Sequence, residues 1–266
     1  MHHWFERHYF LFRRLHSLSG VVPIGVFLVF HLTTNASIVW GRIDAERAGV
    51  GTFQHEVNFI HSLPALLLIE IFVLWLPIAF HSILGFYYAF TGRPNVDRSR
   101  YQANRRYVLQ RLTGYLGFLF IVYHVATLRW GWTFLVPGGT RWSHEYAAST
   151  LAAALQGSPE GMTRWGLAVS AFYMFGVTAL VFHFANGLWT AAITWGVTVS
   201  EQAQKRWGMV CLVIGAGLMA LAWSAVVGFA TLDPQEARLV EEGILRQHGT
   251  LAEPHADASL VTMEER

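Results

Sequence analysis

Four histidines, His31, His81, His124 and His183, each lie inside a different long apolar segment of this 266-residue chain. An ionisable side chain at bilayer depth is costly and marks function by default. Neutral imidazole is a good ligand for haem iron, and a haem held by histidine on both faces takes two of them. Four such residues are the number that two bis-histidine haems b need. Glu70 is the acidic residue within a spanning segment, and a buried carboxylate is suited to carrying protons. The single cysteine, Cys211, excludes a disulfide within the chain and an iron–sulfur cluster held by its own thiolates. Cys211 lies in an apolar run and reads as a small core residue.

The elements that must position these residues are membrane helices. The chain is 53% hydrophobic and only 14% charged, against about 25% charged in a soluble domain. A spanning helix needs about 20 apolar residues, and five segments qualify, near 17–40, 62–91, 107–130, 165–196 and 207–232. The expected fold is an all-α integral membrane protein, with segments I–IV in a four-helix bundle around two haems and segment V peripheral. Residues 1–232 form the membrane domain. Residues 233–266 form an acidic tail expected to be partly disordered. The start, MHHWFERHYFLFRRLHS, lacks the pattern of a signal peptide, and the His2/His3 pair is not expected to bind metal without further ligands. The stretch Ser143–Gln156 reads as a short interfacial helix. A net charge of +2 gives no argument for nucleic acid.

Flanking charge sets the expected orientation. Arg7, Arg13 and Arg14, then Arg93, Arg98, Arg100, Arg105 and Arg106, then Lys205 and Arg206 fall on one side. That side is read as cytoplasmic, in the cell's inner membrane, with the N-terminus inside and the C-terminus outside. At about 1.5 Å rise per residue, His31 lies about 15 Å and His124 about 9 Å before the outer ends of segments I and III, forming an outer layer. His81 and His183 lie toward the inner ends of II and IV, roughly 15 Å away. Each layer therefore takes one histidine from each of two hairpins, I–II and III–IV. The hairpins repeat one another: LHSLSG (Leu15–Gly20) opens I and LQRLTG (Leu109–Gly114) opens III, while His81-Ser-Ile-Leu-Gly85 matches His183-Phe-Ala-Asn-Gly187. Gly85 and Gly187 each lie one turn from an inner histidine, where they leave room for a bulky planar group or a packed helix.

The segments RRLHSLSGVVPIGVFLVFHLTTN, HSLPALLLIEIFVLWLPIAFHSILGFYYAFTG, VLQRLTGYLGFLFIVYHVATLR and VFHFANGLWTAAITWGVTV resemble the cytochrome b subunit of succinate:quinone oxidoreductases (succinate dehydrogenase and fumarate reductase), in its five-helix, two-haem, single-chain form. The resemblance covers most of residues 10–200. It implies ligation of a distal haem by His31 with His124 and of a proximal haem by His81 with His183. It also implies partners: a flavoprotein subunit with covalent FAD and an iron–sulfur subunit, docked on the basic inner face. A higher oligomer of the complex stays open. The chain has neither a dinucleotide fingerprint nor cluster cysteines, so the dicarboxylate chemistry must lie on those partners. Arg14 and His16 are candidates for a haem propionate or for quinone. Glu70 is the candidate proton-transfer residue of a quinone site near the outer haem, and a low-potential menaquinone suits an outer site. Two rivals remain at this point: a di-haem cytochrome b of another dehydrogenase, and a transporter with a His/Glu proton relay.

Overall fold

The computed structural model describes residues 7–41, 49–91 and 102–247, and most of those residues are helical, with no strand among them. Eight helices are labelled here in chain order. Helix α1, Tyr9–Trp40, is segment I. It starts well before the apolar run and is two α-helical pieces, Tyr9–Val21 and Pro23–Trp40. Pro23 has no N–H to donate, so the hydrogen-bond ladder breaks there. Helix α2 is Gly49–His61. Helix α3, Leu66–Thr91, is segment II and contains a π-helical stretch, Glu70–Trp75. Helix α4 is segment III: α-helical over Gln102–His124, then π-helical over Val125–Arg129. Helix α5 is Ala147–Gln156, α6 is Arg164–Thr194 (segment IV), α7 is Glu201–Ala230 (segment V), and α8 is Pro234–Gln247.

The five spans present apolar residues outward, with Phe30 70%, Phe72 64%, Leu119 61% and Leu212 62% exposed. That pattern is unsound in water and right in lipid, where helices satisfy their own backbone and leave apolar side chains outside. Their 25 to 32 residues exceed the minimum for crossing, so they tilt or protrude. Thr163 and Ser200 cap α6 and α7 by accepting from Gly166 N at 3.0 Å and Ala203 N at 3.2 Å, as N-cap hydroxyls do. Helix α7 carries no histidine and packs along α6 and α1.

One end of the bundle is capped by α2, α5 and α8. Ile38, Phe120, Tyr173 and Phe229 from the spans share a buried core with Val50, Phe53 and Val57 of α2, Leu151 and Leu155 of α5, and Ala237 of α8. The expected interfacial helix exists as α5, but it does not lie on a surface. Every residue except Thr150 is buried, because the cap closes around it. Its N-terminus has no side-chain cap of its own. Gln54 Oε1 accepts from Ala147 N, and Glu241 Oε1 accepts from Ala148 N and Ser149 N. Those amides would otherwise be buried without partners. Gln156 at the other end donates to Phe229 O and Leu232 O, closing the C-terminus of α7. The tail thus begins as a helix, α8. The remainder of the tail, His2, His3 and the loop arginines Arg93, Arg98 and Arg100 lie outside the described residues. The opposite end of the bundle, where α1 begins and α6 ends, is the open end.

Two histidine pairs between the hairpins

The two repeats in the sequence become two copies of one contact. In hairpin I–II, Nδ1 of His81 lies 2.9 Å from the backbone oxygen of His16. In hairpin III–IV, Nδ1 of His183 lies 3.0 Å from the backbone oxygen of Gln110. His16 and Gln110 occupy the same position of LHSLSG and LQRLTG. A carbonyl accepting from Nδ1–H fixes the tautomer and leaves Nε2 as the electron-pair donor. Gly20 and Gly114 also correspond. A Cβ on Gly20 would stand 2.6 Å from His81 Cε1, and one on Gly114 would stand 3.0 Å from His183 Cε1. Each glycine is the notch in which its histidine ring sits.

Across the hairpins the rings meet in pairs. His81 and His183 have centroids 6.1 Å apart and planes at 84°, and His31 and His124 have centroids 5.7 Å apart, also at 84°. Among the described residues no group of three or more His, Cys, Asp or Glu side chains converges on a point. An iron bound on both sides by imidazole nitrogens at about 2 Å would hold ring centroids about 6 Å apart, so both pairs have the spacing and donor chemistry for a bis-histidine haem. His31 stacks on Phe27 at 5.2 Å, with its Nε2 only 3.5 Å from Asn35 Nδ2. His124 lies between Phe120 and Tyr173, and its Nδ1 is buried without a hydrogen-bond partner.

At the open end, His16 stacks on His81 with centroids 4.1 Å apart. His16 Nε2 and the hydroxyl of Tyr88, whose ring stands 5.6 Å from the His16 ring, are both buried without partners. Gln110, the counterpart of His16, is fully engaged: it donates to His183 O and accepts from Asn186 Nδ2. Arg14 is exposed, and its neighbour Arg13 is the arginine beside Tyr88, 5.7 Å from the ring. Sequence reading did not single out Tyr88, Gly20 or Gly114. The last two were visible as repeat positions, but their contact with the histidines was not. Gly85 and Gly187, which it did single out, are less crowded: a Cβ there would lie 3.3 Å from His16 Nε2 or 3.5 Å from Gln110 Nε2.

Glu70 sits at the capped end. Its carboxylate, 18% exposed, pairs with Arg129 Nη2 at 2.9 Å. The partner from the neighbouring span accounts for a charge at this depth. Glu70 opens the π-helical stretch of α3 and Arg129 closes that of α4. Such stretches recur at functional sites. Trp75 and Trp130 stack beside them at 6.1 Å.

The crowding gives a graded expectation. Gly20→Ala should push His81 out of line and lower haem occupancy of that pair, at an overpacking cost of about 1–3 kcal/mol. Gly187→Ala should leave both pairs intact. Haem content per chain of the two purified variants checks this.

No protein-family model matches the chain. It is 35% identical, over 220 residues, to the succinate dehydrogenase cytochrome b558 subunit of Bacillus subtilis (strain 168), an alignment that spans 83% of this chain and 96% of that protein.

Proposed function

The chain belongs to the family of succinate dehydrogenase cytochrome b subunits, and on that premise we propose that it carries electrons through two haems b to a membrane quinone. The observation that carries this reading is the pair of perpendicular imidazole contacts, two histidines each, between the repeated hairpins. His81 with His183 would hold the proximal haem and His31 with His124 the distal one. Bis-histidine haem supplies reversible one-electron transfer without an open coordination site.

The chain's own residues do the rest. The carbonyls of His16 and Gln110 accept from Nδ1–H of His81 and His183, which leaves Nε2 as the nitrogen that would ligate iron. His16 Nε2, the Tyr88 hydroxyl and Arg13 offer donors and positive charge beside His81, which suits a propionate carboxylate. Arg14, exposed like Arg13, is the alternative. Arg13, Arg14, Arg105 and Arg106 form the basic open end on which the iron–sulfur subunit, itself joined to the FAD-bearing flavoprotein, would dock. By the distribution of arginines this end faces the cytoplasm of the inner membrane. Quinone, for which menaquinone is the expected type, reacts at the capped end, where Glu70 supplies a carboxylate for proton transfer.

Quantitation of pyridine haemochrome per chain, with a dithionite-reduced minus oxidised spectrum of the complex, tests the reading. Two b-type haems per chain are expected. A folded, haem-replete preparation with none would overturn it.

A further inference from the structure

The sequence NFIHSLPALLLIE brings a histidine and a glutamate to the same end of the molecule by a tight turn. Helix α2 ends at His61, and Ala65, held at φ 56°, reverses the chain into α3. Positive φ is uncommon for a residue other than glycine and marks a turn. His61 is exposed, and its ring stacks face to face on that of His144, also exposed, with centroids 4.6 Å apart and planes within 16°. Trp142 flanks His61 at 6.2 Å. The charged groups facing His61 come from three elements: His144 from the loop before α5, Arg129 from α4 and Glu70 from α3. Burial, then His144 and Arg129, hold the His61 imidazole below its ordinary value, while Glu70 opposes them. None of these residues belongs to the histidine pairs between the hairpins.

We propose that His61 and His144 are the proton port of the capped end, taking protons from water and passing them inward to Glu70. The proposal rests on the reading that quinone is reduced near Glu70. Reduction of one quinone to quinol takes two electrons and two protons. The electrons come from succinate through the partner subunits and this chain, and the protons must come from water. Neutral imidazole accepts a proton on one nitrogen and releases one from the other, near physiological pH. A stacked, water-facing pair beside a carboxylate that is only 18% exposed is an arrangement for collecting a proton and relaying it.

The test uses the intact complex in membrane vesicles, with His61→Gln, His144→Gln and His61→Phe. Phenylalanine keeps the stack and removes the proton carrier. Succinate-driven haem reduction should match the unaltered complex in all three. Quinone reduction should fall by an order of magnitude or more in the His61 variants, toward the roughly 10²-fold that loss of a positioned proton-transfer group costs. Added imidazole should restore it. Normal turnover in His61→Phe with a deficit in His61→Gln would make the stack structural and overturn the port. Normal turnover in every histidine variant, with Glu70→Gln impaired, would also overturn it while leaving the quinone site in place. Failure of succinate to reduce any haem in the unaltered complex would instead strike the proposed function.

Discussion

A His81→Leu variant is expected to keep one haem b per chain and to lose succinate-driven quinone reduction by more than about 10²-fold, the upper end of what even an outer-shell partner of a metal ligand is worth. Leucine matches much of the imidazole volume and donates no electron pair, so His183 is left facing an apolar side chain across the 6.1 Å gap. The His31–His124 pair shares no residue with this site and should retain its haem. One complication is local. His16 lies 4.1 Å from the His81 ring, with its Nε2 unpartnered, and is the imidazole placed to substitute. The measurement therefore pairs His81→Leu with a variant that also carries His16→Gln. Haemochrome per chain and turnover are read for each, after the partner subunits are shown to co-purify. Two haems per chain in the double variant would break the assignment of His81.

The second large effect is expected at the cap. Glu241 is fully buried, and its carboxylate accepts from Ala148 N, Ser149 N and the Ser149 hydroxyl. Glu241→Ala leaves those donors without an acceptor inside a closed core, and should cost about 3 kcal/mol of cap stability. Glu241→Gln, whose amide oxygen can still accept, should cost about 1 kcal/mol. Burial raises the Glu241 carboxyl above its ordinary value, against the pull of the Ser149 and Ala148 hydrogen bonds and of Arg238. The folded cap then binds that proton more tightly than the unfolded chain does. Its contribution is complete below the unfolded value of about 4.3 and is lost as pH rises through the raised value. Limited proteolysis at the end of α8, followed across that window, should show the cap loosening with rising pH in the unaltered protein. In Glu241→Gln that slope should be absent.

What the sequence made legible was what periodicity and cost can carry. The five spans, the histidine in each of the first four, and the two repeats all rest on apolar length and on the expense of imidazole in lipid. Helix α2 was legible and passed over: Val50, Phe53 and Val57 recur at helical spacing, and each is buried. The start of α1 at Tyr9 was hidden by the polarity of FRRLHS, since hydropathy marks the lipid-facing part of a helix and not its end. The π-helical stretches at Glu70–Trp75 and Val125–Arg129 have no signature in side-chain pattern, because one extra residue per turn is a property of the hydrogen-bond ladder. The glutamate at 241 read as one acidic residue among many in a tail. Only its placement against the bare N-terminus of α5 shows it to be a cap supplied from 92 and 93 residues away.

The repeat has a consequence for how such a molecule could be built. Exchanging the two hairpins carries His31 onto His124 and His81 onto His183, so each pair maps onto itself and neither pair maps onto the other. A single hairpin of two helices, bearing one histidine near each end, would reconstitute both sites by dimerising with its twin. A synthetic minimum would therefore be one hairpin, used twice. Duplication alone makes each site two-faced and alike, and differences between the sites must be written along the axis, from one side of the membrane to the other.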